Sequence, residues 1–199
     1  MLSLRSMATA SLEADATGTS QELEYTFYGR LQNVEDLAKA ASKERQLQWS
    51  IFSQNPAKKG QIRNRRITEG DGVQYTQTTK YEVGTEAGQE ESTIEIPAEQ
   101  FKAFGHICET GMHKDRFKFP VPDSELVWEI DMFIKSDGSY GDVCKIDLEV
   151  PNADTPIPDL PLDFELFIRN QKGQRTEAEI AVIDQAFTDY ITIAPGSVE

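Results

Sequence analysis

Seven stretches of this chain alternate charged or polar residues with apolar ones at a period of two, and that pattern restricts the fold more than any other feature. Glu22 and Glu24 alternate with Leu23, Tyr25 and Phe27, while Arg63 and Arg65 stand against Ile62. Thr76, Thr78 and Lys80 lead into Tyr81, and Glu91, Thr93 and Glu95 oppose Ile94 and Ile96. Lys114, Arg116 and Lys118 oppose Phe117 and Phe119. Glu129 and Asp131 oppose Trp128, Ile130 and Met132, and Lys145, Asp147 and Glu149 oppose Cys144, Ile146, Leu148 and Val150. Successive side chains of a strand point to opposite faces, so each stretch reads as a strand with one apolar and one charged face.

Between these strands the punctuation is that of hairpins. Asp71-Gly72 and Asp137-Gly138 are two-residue turn signals. Asn33 is placed to cap a helix in which Val34, Leu37, Ala38, Ala41 and Leu47 recur at helical spacing, followed by a short strand over 49–52. Pro97 opens a second helix of about ten residues that runs through Phe101 and Phe104 to His106. A Pro-rich connector follows Val150, then a short strand at 164–168. A last helix is expected over 176–190, with Ile180, Ile183, Phe187 and Tyr190 on one face. Few connections are long enough for parallel crossovers, so the reading is an antiparallel α+β domain of about eight strands. Residues 1–21 lack aromatics and any sustained period, and read as a flexible leader to a single domain over 22–199 with an extension after about residue 151.

The 199 residues carry a formal net charge of −14. Such a chain is not held on DNA or RNA by general electrostatics, because neutralising phosphates needs excess positive charge. No stretch approaches the ~18 apolar residues of a membrane span. Cys108 and Cys144 form neither a CxxC pair nor a disulfide framework, and read as buried reduced thiols of a cytoplasmic protein. His106 and His113 are the only histidines, too few for a His-based metal site.

The charged faces admit a plain explanation, an ordinary half-buried sheet with its polar side in water. Two features favour another. The charged face is dominated by ionised residues of both signs, and the helices and aromatics both claim the apolar face. If about eight strands close with the apolar face outward under helices, the charged face becomes the lining of a wet tunnel. Clustered like charges there need compensation. Arg63, Arg65, Lys80, Lys114, Arg116 and Lys145 suit a polyphosphate. Glu22, Glu24, Asp147 and Glu149 suit a hard divalent cation such as Mg²⁺. Together the two sets fit metal-assisted phosphoryl chemistry, and the absence of a GxxxxGK[ST] loop excludes a P-loop NTPase.

In order along the chain, Glu22-Leu-Glu, Arg63-Asn-Arg, the strand ending at Lys80, the acidic strand before Ile96-Pro97, Lys114-Asp-Arg, Trp128-Glu-Ile-Asp-Met-Phe and Lys145-Ile-Asp-Leu-Glu resemble the CYTH superfamily, the triphosphate tunnel metalloenzymes. The resemblance covers about residues 22–150. It implies a closed eight-stranded antiparallel β-barrel with helices packed outside. A triphosphate would lie among Arg63, Arg65, Lys80, Lys114, Arg116 and Lys145, and Mg²⁺ or Mn²⁺ would be held by Glu22, Glu24 and Glu149 with Asp147 beside them. Glu91, Glu129 and Asp131 would line the tunnel, support a second metal or orient water. Two positions depart from the family pattern. Thr26 stands where the opening motif carries Lys, with Lys145 or Lys118 as candidates to make up the charge, and Thr93 stands where a second Glu is expected.

The function expected from this is a divalent-metal-dependent hydrolase of inorganic triphosphate, a nucleoside triphosphate or thiamine triphosphate. The alternatives are a non-catalytic nucleotide or polyphosphate binder, favoured by Thr26 and Thr93, an adenylyl-cyclase-like enzyme, and an interaction protein with merely solvated strand faces. The partner is a triphosphate-bearing small molecule. The apolar face of the last helix is expected to serve as a plug, a lid or a homodimer contact.

Overall fold

The computed structural model describes residues 23–53, 60–83, 88–108, 111–152, 154–170 and 181. The expected leader, Glu22 and the final helix lie outside them. The strands are β1 (Leu23–Leu31), β2 (Ser42–Phe52), β3 (Gly60–Glu69), β4 (Gly72–Val83), β5 (Gly88–Glu95), β6 (Gly111–Pro120), β7 (Val127–Ile134), β8 (Tyr140–Val150) and β9 (Phe164–Asn170). One helix, α1 (Ala98–Ile107), lies between β5 and β6, and a 3₁₀ turn (Val34–Lys39) lies between β1 and β2. All pairings are antiparallel, as the hairpin-like order implies.

The strands form one sheet in the order β5-β4-β3-β2-β6-β7-β8-β1-β9. This differs from the expected ring of eight, since no pairing among the described residues joins the two ends. The reason lies at β1. A strand has two hydrogen-bonding edges, and those of β1 are taken by β8 over Leu23–Gly29 and by β9 over Thr26–Leu31. The short strand after the Pro-rich connector thus caps the sheet where a closing partner would sit. The sheet still curls. Lys80 on β4 electrostatically favours the ionised form of Glu24 on β1, although six pairings separate these strands.

The second difference concerns residues 34–52. Asn33 does cap, accepting a hydrogen bond from the Glu35 amide at 3.1 Å, but only the single turn through Lys39 is helical. From Ser42 the chain is strand, hydrogen-bonded to β3 on one side and β6 on the other. Leu47 fits the helical spacing of Val34 and Leu37 only in isolation, because Glu44, Gln46, Gln48 and Ser50 alternate with Arg45, Leu47 and Trp49. Among the described residues the other expected strands are present, most of them longer than expected and β7 two residues shorter, and α1 begins directly after Pro97. The β3–β4 turn falls on Gly70-Asp71, one residue earlier than expected, because Gly70 takes the left-handed φ of 55° that the turn requires. The β7–β8 turn likewise centres one residue early, on Ser136-Asp137, where the Gly138 N–H donates to the Lys135 carbonyl at 2.9 Å and Gly138 follows at φ 83°.

The apolar strand faces form the convex side of the sheet and are covered in two places. Phe27, Phe117, Trp128, Ile130, Met132, Cys144, Ile146 and Leu148 pack beneath Leu37 of the 3₁₀ turn and beneath Ile157, Leu160 and Leu162 of the Pro-rich segment. Trp128 Nε1 donates to the Asp159 carbonyl at 3.1 Å, which fixes that segment. The second cluster, Leu47, Trp49, Ile96 and Cys108, packs against Phe101 of α1. A Cβ on Gly111 would lie 2.4 Å from Trp49 Cζ3, so glycine makes room for the indole. Each large side chain buried this way contributes ~1.5–3 kcal/mol, which commits the apolar faces to the convex side. The two cysteines are buried and unpaired, as expected.

Candidate functional site

The concave face follows from register alone. Across the sheet the pairings run Glu91–Lys80–Gln61, Thr93–Thr78–Arg63–Ser50 and Thr76–Arg65–Gln48, all on one face. The same face continues through Lys114, Arg116 and Lys118, then Asp131 and Glu129, then Lys145 and Asp147, and ends on Thr26 and Glu24. Every expected site residue that is described belongs to this face. Glu149 occupies the register opposite Glu24, with its side chain exposed at the edge. Glu22 lies outside the described residues.

Curling buries much of this face. Lys114 is 5 % exposed and Asp131 and Asp147 are 1 % exposed each, which a flat solvated sheet face would not produce. At the centre Asp131 serves two cations. Arg116 donates to it through Nε at 2.7 Å and Nη2 at 2.9 Å, and Lys114 Nζ donates at 2.5 Å. Burial favours the neutral acid, but Lys114 and Arg116 outweigh it and hold the Asp131 carboxyl well below the usual range. Arg116 also pairs with Glu129 and keeps its proton more firmly than usual, because the carboxylates of Asp131, Glu129 and Asp147 overcome its desolvation.

Next to this pair lie cations with too little negative charge. Arg65 donates Nε to Gln48 Oε1 at 3.2 Å and forms no ion pair among the described residues. Burial and the adjacent Arg63 and Arg116 guanidiniums push its pKa down to about 9, which still leaves it charged at neutral pH. Burial, Arg116 and Arg65 push Lys114 down to about 7 despite Asp131. Desolvation with like-charge crowding is the arrangement that a bound anion relieves.

The carboxylates toward β1 are differently placed. Asp147 Oδ1 accepts from the Thr26 hydroxyl at 2.8 Å, and Oδ2 accepts from Lys145 Nζ, which also lies 3.5 Å from Glu24 Oε1. Burial, Glu24 and Asp131 raise Asp147 to about 6 against the pull of Lys145. Burial also works against ionised Glu24, yet Lys145, a hydrogen bond with Asp147, Lys80 and Arg116 hold it below the ordinary carboxylate value. Lys145 in turn is held protonated, since Asp147 and Glu24 overcome its desolvation. The third acidic position, Glu91, pairs with Lys80 and lies 3.6 Å from Arg63 Nη2. At Thr93 the hydroxyl shares a 2.9 Å hydrogen bond with Thr78.

Of the Mg²⁺ or Mn²⁺ set, the described members Glu24, Asp147 and Glu149 do not fit an ion as these side chains stand, and Glu22 lies outside the described residues. Both oxygens of Asp147, the most buried candidate ligand, are engaged by protein donors, and among the described residues no three His, Cys, Asp or Glu side chains are grouped to hold a metal ion. Of the two lysines that could make up for Thr26, Lys145 stands beside it, whereas Lys118 is bound to Glu44.

Sequence reasoning missed the contribution of β2. Glu44, Gln46, Gln48 and Ser50 line the concave face between the β3 and β6 cations, and Gln48 orients Arg65. Their alternation was the available signal, masked by the helical spacing around Leu37. It also missed an ion cluster on the convex side, where Asp115 is fully buried. Arg45 grips it with Nε at 2.8 Å and Nη2 at 2.9 Å, Lys43 lies 2.7 Å away, and the Tyr140 hydroxyl donates at 2.6 Å. These donors outweigh burial and hold Asp115 at about 2.

No protein-family model matches the chain, and no curated protein matches it. Among solved structures, the PH1819 protein of Pyrococcus horikoshii OT3 aligns over 85 % of this chain and 93 % of its own, with 13 % identity and a TM-score of 0.42. A Bacillus halodurans protein described as a candidate adenylate cyclase aligns over 68 % of this chain and 83 % of its own, with 11 % identity and a TM-score of 0.46. No helix of the described residues is long and apolar enough to cross a membrane.

Proposed function

We propose that the concave face binds the triphosphate group of a small molecule, an inorganic or nucleoside triphosphate being the class it suits. The observation that carries this reading is enclosed Arg65, which forms no ion pair among the described residues and is crowded by Arg63, Lys114 and Arg116. A buried cation without a counter-charge is costly, and a polyanion that desolvates against it returns that cost as binding energy. Arg guanidiniums present planar forks of donors that match phosphate oxygens, and Lys114 adds a point charge. Gln48, Thr78 and Thr76 line the same face and provide neutral hydrogen-bonding groups between the cations.

Hydrolysis is the finer reading. Glu129, Asp131 and Glu91 are the carboxylates that would have to orient water, and all three are engaged in ion pairs with Arg116, Lys114, Lys80 or Arg63. That arrangement supports holding a ligand more directly than activating a nucleophile. The test is calorimetric titration with tripolyphosphate and with ATP, accompanied by phosphate-release and cyclic-nucleotide assays with and without Mg²⁺ or Mn²⁺. Saturable binding that Arg65→Ala weakens is the expected result. A folded protein that binds neither compound under any of these conditions overturns the proposal. Metal-dependent turnover would extend it to the hydrolase.

A further inference from the structure

We infer that Lys145 is a resident counter-cation of this site, so that the chain binds a triphosphate group without a divalent metal. The inference rests on the triphosphate-binding reading above and deepens it. Glu24 and Asp147 project from neighbouring strands onto the same end of the concave face as the phosphate-facing cations, and unshielded they would repel a polyanion. A divalent ion is one means of cancelling that repulsion. Here the ammonium of Lys145 already lies between the two carboxylates, bound to Asp147 Oδ2 and 3.5 Å from Glu24 Oε1. The strand pairing dictates this position. Lys145 and Asp147 are two residues apart on β8 and so share a face, while Glu24 and Thr26 come onto it from β1.

The remaining Asp147 oxygen is closed by Thr26 Oγ1 at 2.8 Å. A Mg²⁺ ion binding this carboxylate would have to compete with the ammonium at Oδ2 or with the hydroxyl at Oδ1, and its strict octahedral geometry at ~2.1 Å gives little room for compromise. The exchange also leaves the displaced ammonium in an enclosed site without its partner. An ammonium carries three donors, and Asp147 and Glu24 account for two. Tyr28, opposite Lys145 on β1, also favours the charged ammonium. Thr26 completes the device, because a hydroxyl bonds the carboxylate without adding a second cation to compete with Lys145.

The experiment titrates tripolyphosphate into the wild-type protein and into Lys145→Gln, each in EDTA and in excess Mg²⁺, with circular dichroism to confirm folding. Mn²⁺ alone is titrated into both. The wild type is expected to bind tripolyphosphate equally well, within about twofold, in EDTA and in Mg²⁺, and to show no saturable Mn²⁺ site. Lys145→Gln should bind about 10- to 100-fold more weakly in EDTA, recover in Mg²⁺, and acquire a Mn²⁺ site, since Glu24 and Asp147 lose their internal cation. Wild-type binding that requires Mg²⁺ overturns the role of Lys145 and leaves the triphosphate reading intact. Undiminished binding by Lys145→Gln in EDTA does the same. Failure to bind in both buffers overturns the triphosphate reading itself. If Lys145→Gln does not fold, the wild-type comparison of EDTA with Mg²⁺ still decides.

Discussion

Strand β6 carries two buried ion clusters back to back, and they solve the problem of buried charge in opposite ways. On the convex side the enclosed group is a carboxylate, Asp115, and its partners Arg45 and Lys43 have side chains 56 % and 46 % exposed. Long cationic side chains can reach in to a buried acid while their remaining donors stay in water. On the concave side the enclosed groups include the cations themselves, with Lys114 and Arg116 side chains 6 % and 14 % exposed, sharing Asp131. Adjacent residues of one strand thus form a cluster that is complete without a ligand and a cluster that is not. The first belongs to the architecture. The second is where we propose that the anion binds.

The sharpest way to break this contrast is to remove the central acid from each cluster. Asp131→Asn leaves Lys114 and Arg116 enclosed without their shared carboxylate and should lower stability by about 3–5 kcal/mol in urea denaturation. Saturating tripolyphosphate should recover part of the loss. A loss that the ligand does not touch would mean that the two clusters are alike.

Arg65→Ala probes the surplus cation directly. Affinity for tripolyphosphate should fall by about 10- to 100-fold, equivalent to about 1.4–2.7 kcal/mol. Ligand-free stability should hold steady or rise, because a crowded, partly desolvated cation is gone. A marked loss of stability would instead make Arg65 an ordinary structural residue.

Asp115→Asn should cost less than its concave counterpart, about 1–2 kcal/mol, because Arg45 and Lys43 return to water when the acid is neutralised. Tripolyphosphate affinity should not change. The Asp115 pKa of about 2 also gives its stabilisation a pH window: present above the unfolded carboxylate value and lost as pH falls through about 2. A shift in phosphate affinity in this variant would show that the convex cluster is coupled to the site.

The smallest effect is expected from pH. Lys114 releases its proton near 7 in the fold, below the ordinary lysine value, so from about 7 upward the unfolded chain binds more protons than the native one. Through this group the ligand-free protein gains stability as pH rises over that window. Anion binding needs the ammonium and should weaken over the same rise, by less than about tenfold between about pH 6 and about pH 8. Lys114→Arg keeps the charge and should flatten the profile. A profile unchanged in that variant would assign the titration elsewhere.

Much of this was legible from local pattern. The alternation around Arg63, Lys114, Glu129 and Lys145 identified the strands and the face on which each charged side chain lies, because the strand period of two is fixed by backbone geometry. Hairpin signals and Pro97 placed most connections for equally local reasons. Residues 42–48 were misjudged as helix because one turn of helical spacing at Val34 and Leu37 continues by coincidence into Leu47. Only pairing with β3 and β6 resolves the ambiguity in favour of strand.

The sequence by itself determined which side chains share a face and that the apolar face must be covered. Tertiary structure decided who meets whom across the concavity. Lys145 between Glu24 and Asp147, two cations on Asp131, and Arg65 left with an amide rather than a carboxylate all depend on register and curl. So does the β9 strand that takes the outer edge of β1 where a closing strand was expected. Interstrand pairing links residues more than a hundred positions apart, and the energy of an ion pair depends on burial and on distances of a few ångströms. Neither is written in any local stretch of the chain.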